Sequence, residues 1–505
     1  MQHGDGSGSV TPPNGSSNSL YRNSAAGNMM SGVDTGAGNG GAIPRTSSTQ
    51  TFRAPFLSPA SRPTSSLWAP PSYSQQLMSN GNGGVYSPNA SSSALPYPAL
   101  PKKAPLPSTR LAAPIAKSDK PWLAKPDPRA RLSWWLTLFC IFIGIGGAAV
   151  LCWQGVASVQ KIDPSRLCSV LNEDFSGSSL DESVWNREIE LGGFGNGEFQ
   201  MTTGDSDNLY LQNSQLYIHP TLTSDKVQNV LDGGNFTLQD CTRTDNRTAC
   251  SASSSNSRGT VINPIQSARI NTKGKKSIRY GKVEIKAKMP KGDWLWPAVW
   301  MLPENNTYGA WPASGEIDII EARGNGPDYP AQGSNFMRST LNYGPIPAVI
   351  KQIFGWQSLK RSSFDKDFHI YGLEWDEQFM RFYVDSRIHA MLDLNLKAKK
   401  DSFWERGSFP QTAQNGSAQV VVPNPYENRP NSAPFDQPFY LIINLAAGGT
   451  SGWFPDNKGN KPWFDGSLTA MRDFAKAQDS WLPTWPSSAE DRSFRIDYVK
   501  MWELC

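Results

Sequence analysis

The sequence predicts an all-β protein, a jelly-roll β-sandwich with a concave cleft, preceded by a disordered tail and one transmembrane helix. Three observations carry that prediction. Strand-like runs joined by turn residues recur from about residue 170 onward, without the strand–helix rhythm of a parallel sheet. A good helical pattern in that region is confined to Leu468–Gln478. The residues before it differ in kind, first polar and low in complexity, then uniformly apolar.

Residues 1–131 are rich in Ser, Gly, Pro and Asn and contain no Glu. Such a stretch carries too little apolar surface to offset its ordering entropy, which predicts disorder. The formal net charge of +4 is too small to argue for a nucleic-acid partner. Arg110, Lys117, Lys120, Lys125, Arg129 and Arg131 instead gather before an apolar run, as a contact with an inner leaflet would require. The run, residues 134–153 within a helix expected over 132–156, is uncharged and long enough to span hydrocarbon. Trp134, Trp135 and Trp153 stand at interfacial positions. The basic flank predicts a single-pass type II protein, its tail cytoplasmic and residues 157–505 facing the secretory lumen or exterior. Gly144-Ile-Gly-Gly-Ala-Ala149 mimics a dinucleotide-binding fingerprint, but lies inside the span with no strand before it.

Beyond the span, Cys168, Cys241, Cys250 and Cys505 form an even set, which in an oxidising compartment suggests two disulfides. Cys241 and Cys250 are close enough to staple a local loop within a polar insertion, residues 224–262. Sequons at Asn235, Asn246, Asn305 and Asn415 suit surface loops, whereas those at Asn14 and Asn89 fall in the tail. Val283, Ile285, Ala287 and Met289 alternate with charged residues, as in a half-buried antiparallel strand. Trp294–Met301 is apolar on both faces, as an inner strand would be. Residues 378–384 and 387–392 form a hairpin about Asp385-Ser386, and residues 439–446 and 494–502 are further strands.

The chemistry concentrates in Gly315-Glu-Ile-Asp-Ile-Ile-Glu321. Strand alternation puts Glu316 and Asp318 on one face and would turn Glu321 to the other. A β-bulge around Ile319–Ile320 returns Glu321 to the acidic face. Gathering three carboxylates is costly, since each repels the others. Glycosidic bond cleavage repays that cost, because one carboxylate attacks while a second, held protonated, gives its proton to the leaving oxygen. Trp453, on a glycine-rich loop, is a candidate sugar platform, while Trp185, Trp375 and Trp502 read as core. A catalytic zinc site is not indicated, because His219, His369 and His389 lack ligand spacing.

This stretch resembles the signature of glycoside hydrolase family 16, the laminarinase-like β-glucanases. Arg279-Tyr-Gly-Lys-Val-Glu-Ile285, Trp294-Leu-Trp-Pro-Ala-Val-Trp-Met-Leu-Pro303, Phe368–Trp375 and Pro434–Tyr440 are similar too. The resemblance covers about residues 170–505 and implies Glu316 as nucleophile, Asp318 as its assistant and Glu321 as acid/base. It implies that Trp300 and Trp311 line the subsites beside the scissile bond, and that Asn196 and Glu198 contact sugar at the glycone end. Arg279 and Asn444 are candidate donors to the sugar at the cleavage point. Where the family often has Ser-Thr-Leu-His, this chain reads Ser339-Thr-Leu-Asn342, leaving Asn342 a sugar contact without charge. A jelly roll of this family brings its ends side by side, which would let Cys168 pair with Cys505. No cofactor is implied for catalysis; some members hold a structural Ca²⁺, for which Asp497 is the candidate here.

The expected partner is a β-glucan, and the expected activity is retaining endo-hydrolysis of β-1,3-glucan or mixed β-1,3/1,6-glucan. A membrane-anchored transglycosylase in β-1,6-glucan assembly is the alternative, because a Ser-rich tail, one span and an outer domain resemble fungal proteins of that process. A glucan-binding lectin is the rival from another class.

Overall fold

The computed structural model describes residues 113–505, apart from 124 and 126. Most of the expected disordered tail, with Asn14 and Asn89, lies outside the described residues. A helix runs over Pro128–Ser158 and buries none of its side chains. Pro128 opens it, where a missing amide hydrogen costs nothing, and Asp127 Oδ1 accepts from Arg129 N at 2.9 Å. It is long and apolar enough to cross a membrane.

The remainder is a sandwich of two eight-stranded antiparallel sheets among the described residues. In one, Gly281–Lys288 lies between His369–Trp375 and Phe494–Leu504. Its alternation follows the sequence through Lys286: Val283, Ile285, Ala287 and Met289 are buried and Lys282, Glu284 and Lys286 half-buried, but Lys288, expected on the outer face, is buried and pairs with Asp491 at 2.8 Å. In the other, the order runs from the edge strand Lys351–Ser358 through Phe336–Tyr343, Glu316–Glu321, Leu295–Pro303 and Phe439–Ala447 to Arg269–Asn271 and Asn186–Arg187. Side chains from the facing sides of both sheets form one apolar core that includes Val283, Ile285, Ile317, Ile320, Leu341 and Val499. Phe439–Ala447 is buried along its whole length, one side in that core and the other beneath the cleft walls.

Leu167–Glu173 pairs with Phe494–Leu504, with Cys168 opposite Glu503. This closure brings Cys168 and Cys505 into a disulfide with a Cα separation of 5.8 Å, within the usual range. Cys241 and Cys250 form the second disulfide. It staples the insertion, in which Asn235–Thr237 pairs with Ser251–Ser253. Asn235, Asn246, Asn305 and Asn415 are all exposed. The expected helix is present over Ala470–Lys476, and the expected hairpin turns at Asp385.

One further sequence expectation is corrected by the structure. Trp502 is half-buried on the outer side of its sheet, with Lys282 Nζ 5.1 Å from its ring, and is not core. Asp497 pairs with Lys286 Nζ at 2.9 Å. Among the described residues no group of three or more His, Cys, Asp or Glu could hold a metal.

Candidate active site

The acidic strand carries the predicted bulge. Trp300 pairs with Asp318 while Val299 pairs with Ile320, so Ile319 has no counterpart. On the other side Asp318 opposes Thr340 and Glu321 opposes Arg338, again one residue too many on the acidic strand. The extra residue turns Glu321 to the face of Glu316 and Asp318, and all three acids line one cavity with Trp296, Trp300 and Asn444. The displaced Ile319 carbonyl is satisfied by the buried Ser339 hydroxyl, which donates to it at 2.7 Å.

Each carboxylate is held by a neighbouring donor. Glu316 Oε2 accepts from Trp311 Nε1 at 2.8 Å and its Oε1 from Asn342 Nδ2 at 3.0 Å. The same Asn342 nitrogen donates to Asp318 Oδ2 at 2.8 Å. Glu321 Oε2 accepts from Thr340 Oγ1 at 3.1 Å. The acids are 3%, 3% and 8% exposed, respectively, so these bonds act where water competes little. Asn342 itself is fully buried, which corrects its expected role: it positions the two carboxylates and is covered from a sugar.

A second cavity of about 360 Å³ continues from Glu316 past Trp300 and Trp311 to Phe194 and Arg269. Trp300 Nε1 donates to Asn444 Oδ1 at 2.7 Å, which fixes the indole plane beside the acids. The Arg269 guanidinium lies 4.8 Å from the Trp300 ring centroid and 4.2 Å from that of Phe194, and pairs with Glu188 at 2.6 Å. The sequence-predicted Arg279 is elsewhere, exposed and with its backbone amide donating to Glu503. Arg269 is therefore the arginine of the cleft.

The loop Gly192–Gln200 forms the cleft's far wall. Gly197, at φ 62°, leaves room for Thr450, whose hydroxyl would stand 2.1 Å from any Cβ there. Asn196 Nδ2 donates to Glu198 Oε1 at 3.0 Å and Gln200 Nε2 to Glu198 Oε2 at 2.6 Å. Both predicted residues of this loop thus reach the cavity of the acids. Trp453 stacks on Trp296 at 5.0 Å, so Trp296 lines the cavity and Trp453 supports it. Behind Trp453 lies the buried Arg323, which donates to the Trp453 carbonyl at 3.0 Å. Burial pushes the Arg323 guanidinium down to about 10.

A model of glycosyl hydrolases family 16 matches residues 224–430. The β-1,3-glucan-binding protein of Penaeus monodon is 38% identical over 380 residues, covering 72% of this chain and 98% of that protein. The chain belongs to glycosyl hydrolases family 16. Within family 16 it is also similar to glucan endo-1,3-β-glucosidase A1 of Niallia circulans, 34% identical over 289 residues, or 55% of this chain and 34% of that enzyme. The laminarinase catalytic domain from Thermotoga maritima, 25% identical, aligns over 67% of this chain and 98% of that domain with a TM-score of 0.41.

The residues at or behind the cleft that sequence reasoning missed are Arg269, Trp296, Ser339 and Thr340. Thr340 was findable, since it shares strand parity with Asn342. Arg269 was not, because its short strand is defined by pairing with Phe439–Ala447, far away in the chain.

Proposed function

We propose that this chain is a retaining endo-β-glucanase acting on β-1,3-glucan or mixed β-1,3/1,6-glucan. The observation that carries the reading is the common face of Glu316, Asp318 and Glu321, each held by a separate or shared donor in a cleft walled by Trp300 and Trp311. In the first step Glu316 attacks the anomeric carbon as Glu321 gives its proton to the departing glycosidic oxygen. In the second, Glu321 takes a proton from the incoming hydroxyl, which attacks the same carbon and releases Glu316. Water as that hydroxyl gives hydrolysis; a glucan hydroxyl gives transglycosylation, as in glucan assembly. Asp318, bound to the same amide as Glu316, assists the nucleophile.

Reducing-end release from laminarin, with products resolved by chain length, tests the reading. Glu316→Ala and Glu321→Ala should each lose at least about a thousandfold in rate. Products longer than the starting chains would assign transglycosylation. Laminarin bound but not cleaved by the unaltered protein would favour a glucan-binding role instead, a reading supported by the name of the Penaeus monodon relative.

The same proposal includes topology: tail 1–131 in the cytoplasm, the helix as signal anchor and residues 157–505 outside. Arg129 and Arg131 before the apolar run, the two disulfides and the four exposed sequon asparagines support it. Peptide N-glycosidase should lower the apparent mass through Asn235, Asn246, Asn305 or Asn415. Glycans found at Asn14 or Asn89 would reverse the orientation.

A further inference from the structure

The face that carries the acids continues past them to the sheet's edge. Residues directly paired in an antiparallel sheet share a face, and three such rows cross here. Glu316 pairs with Asn342 and Asn342 with Gln352; Asp318 with Thr340 and Thr340 with Phe354; Glu321 with Arg338 and Arg338 with Trp356. Gln352 Nε2 donates to Asn342 Oδ1 at 2.7 Å, which ties the edge strand to the acids on that face. The opposite parity points inward, since a side chain at the buried Gly355 would strike the Met391 carbonyl of the other sheet.

Phe354 and Trp356 are 46% and 50% exposed. Their rings lie 30° from parallel with centroids 6.1 Å apart, and the Arg338 guanidinium sits 4.0 Å from the Phe354 centroid. Two neighbouring aromatic rings left in water and braced by a cation are costly unless something covers them. By strand spacing Trp356 stands about 9–10 Å from Glu321, within reach of the same polymer.

We propose that Phe354 and Trp356 form an outlying sugar platform, which holds a β-1,3-glucan chain as it leaves the cleft at the end away from Phe194. The inference rests on the β-glucan reading of the cleft and adds where the chain runs beyond it. Sugar C–H faces stack on the rings, and the Arg338 guanidinium faces the ring-edge hydroxyls.

The test is binding of laminarin and of short laminari-oligosaccharides to the full chain in detergent, in a Glu316→Ala background that keeps the ligand uncleaved, compared among the otherwise unaltered protein, Trp356→Ala, Phe354→Ala and Trp356→Tyr. Affinity of the unaltered protein should rise with chain length. Trp356→Ala and Phe354→Ala should each weaken laminarin binding about tenfold and flatten that rise, and Trp356→Tyr should restore most of it. Equal laminarin affinity in Trp356→Ala and unaltered protein overturns the platform while leaving the cleft reading intact. No laminarin binding by the unaltered protein overturns both. Loss of binding to phosphatidylserine vesicles in Trp356→Ala, with laminarin affinity kept, would make the pair a lipid contact and also overturn the platform.

Discussion

One amide nitrogen serves two acids. Asn342 Nδ2 donates to Glu316 at 3.0 Å and to Asp318 at 2.8 Å, while its oxygen is occupied by Gln352. Gln352 therefore decides which end of the amide meets the carboxylates, and the carboxylates need a donor. Asn342→Leu keeps the volume and removes the donor. Each buried bond is worth about 1–3 kcal/mol, so kcat on laminarin should fall roughly ten- to a hundredfold. KM should stay nearly constant, because Asn342 is covered from the sugar. A variant that changes KM and leaves kcat untouched would return Asn342 to the sugar contact its sequence position suggests. That suggestion failed for a plain reason: chain order shows that Asn342 shares a face with Thr340, but not that neighbouring side chains roof it over.

The acidic strand works as an element because of its extra residue. Glu316-Ile-Asp-Ile-Ile-Glu321 was legible as a bulged strand, because a regular one would bury Glu321 among the isoleucines. Its repair was not legible, since Ser339 lies on a different strand and meets the Ile319 carbonyl only through register. Arg269 was missed and Arg279 chosen for the same cause: Arg279 adjoins a recognisable strand, but that strand, Gly281–Lys288, belongs to the other sheet. Local alternation is thus readable along one strand, and sheet membership is not. Ser339→Ala tests the repair, as it leaves a buried carbonyl unpaired and should cost about 1–3 kcal/mol in urea unfolding. Laminarin turnover should fall as well, through the loosened direction of Glu321. A loss under about 0.5 kcal/mol would mean that the bulge holds without Ser339.

At the scale of the whole sandwich, the two disulfides do unequal work. Cys241–Cys250 spans 9 residues, whereas Cys168–Cys505 spans 337 and closes nearly all of the sandwich. Loop-closure entropy grows with the logarithm of that span, giving about 2–3 kcal/mol for the short loop and about 5–6 for the long one. The long bond also joins the ends of paired strands: Leu167 opposes Leu504, and Cys505 N donates to the Arg166 carbonyl at 2.9 Å. Without it, that corner is free to fray from both chain segments at once. Cys505→Ser should lower the melting temperature by about 5–8 °C, and Cys241→Ser by less. Peptide mapping without reduction should recover Cys168 and Cys505 in one linked peptide. Alkylation of Cys505 in unreduced, properly folded protein would remove the closure, and with it the predicted order of the two variants.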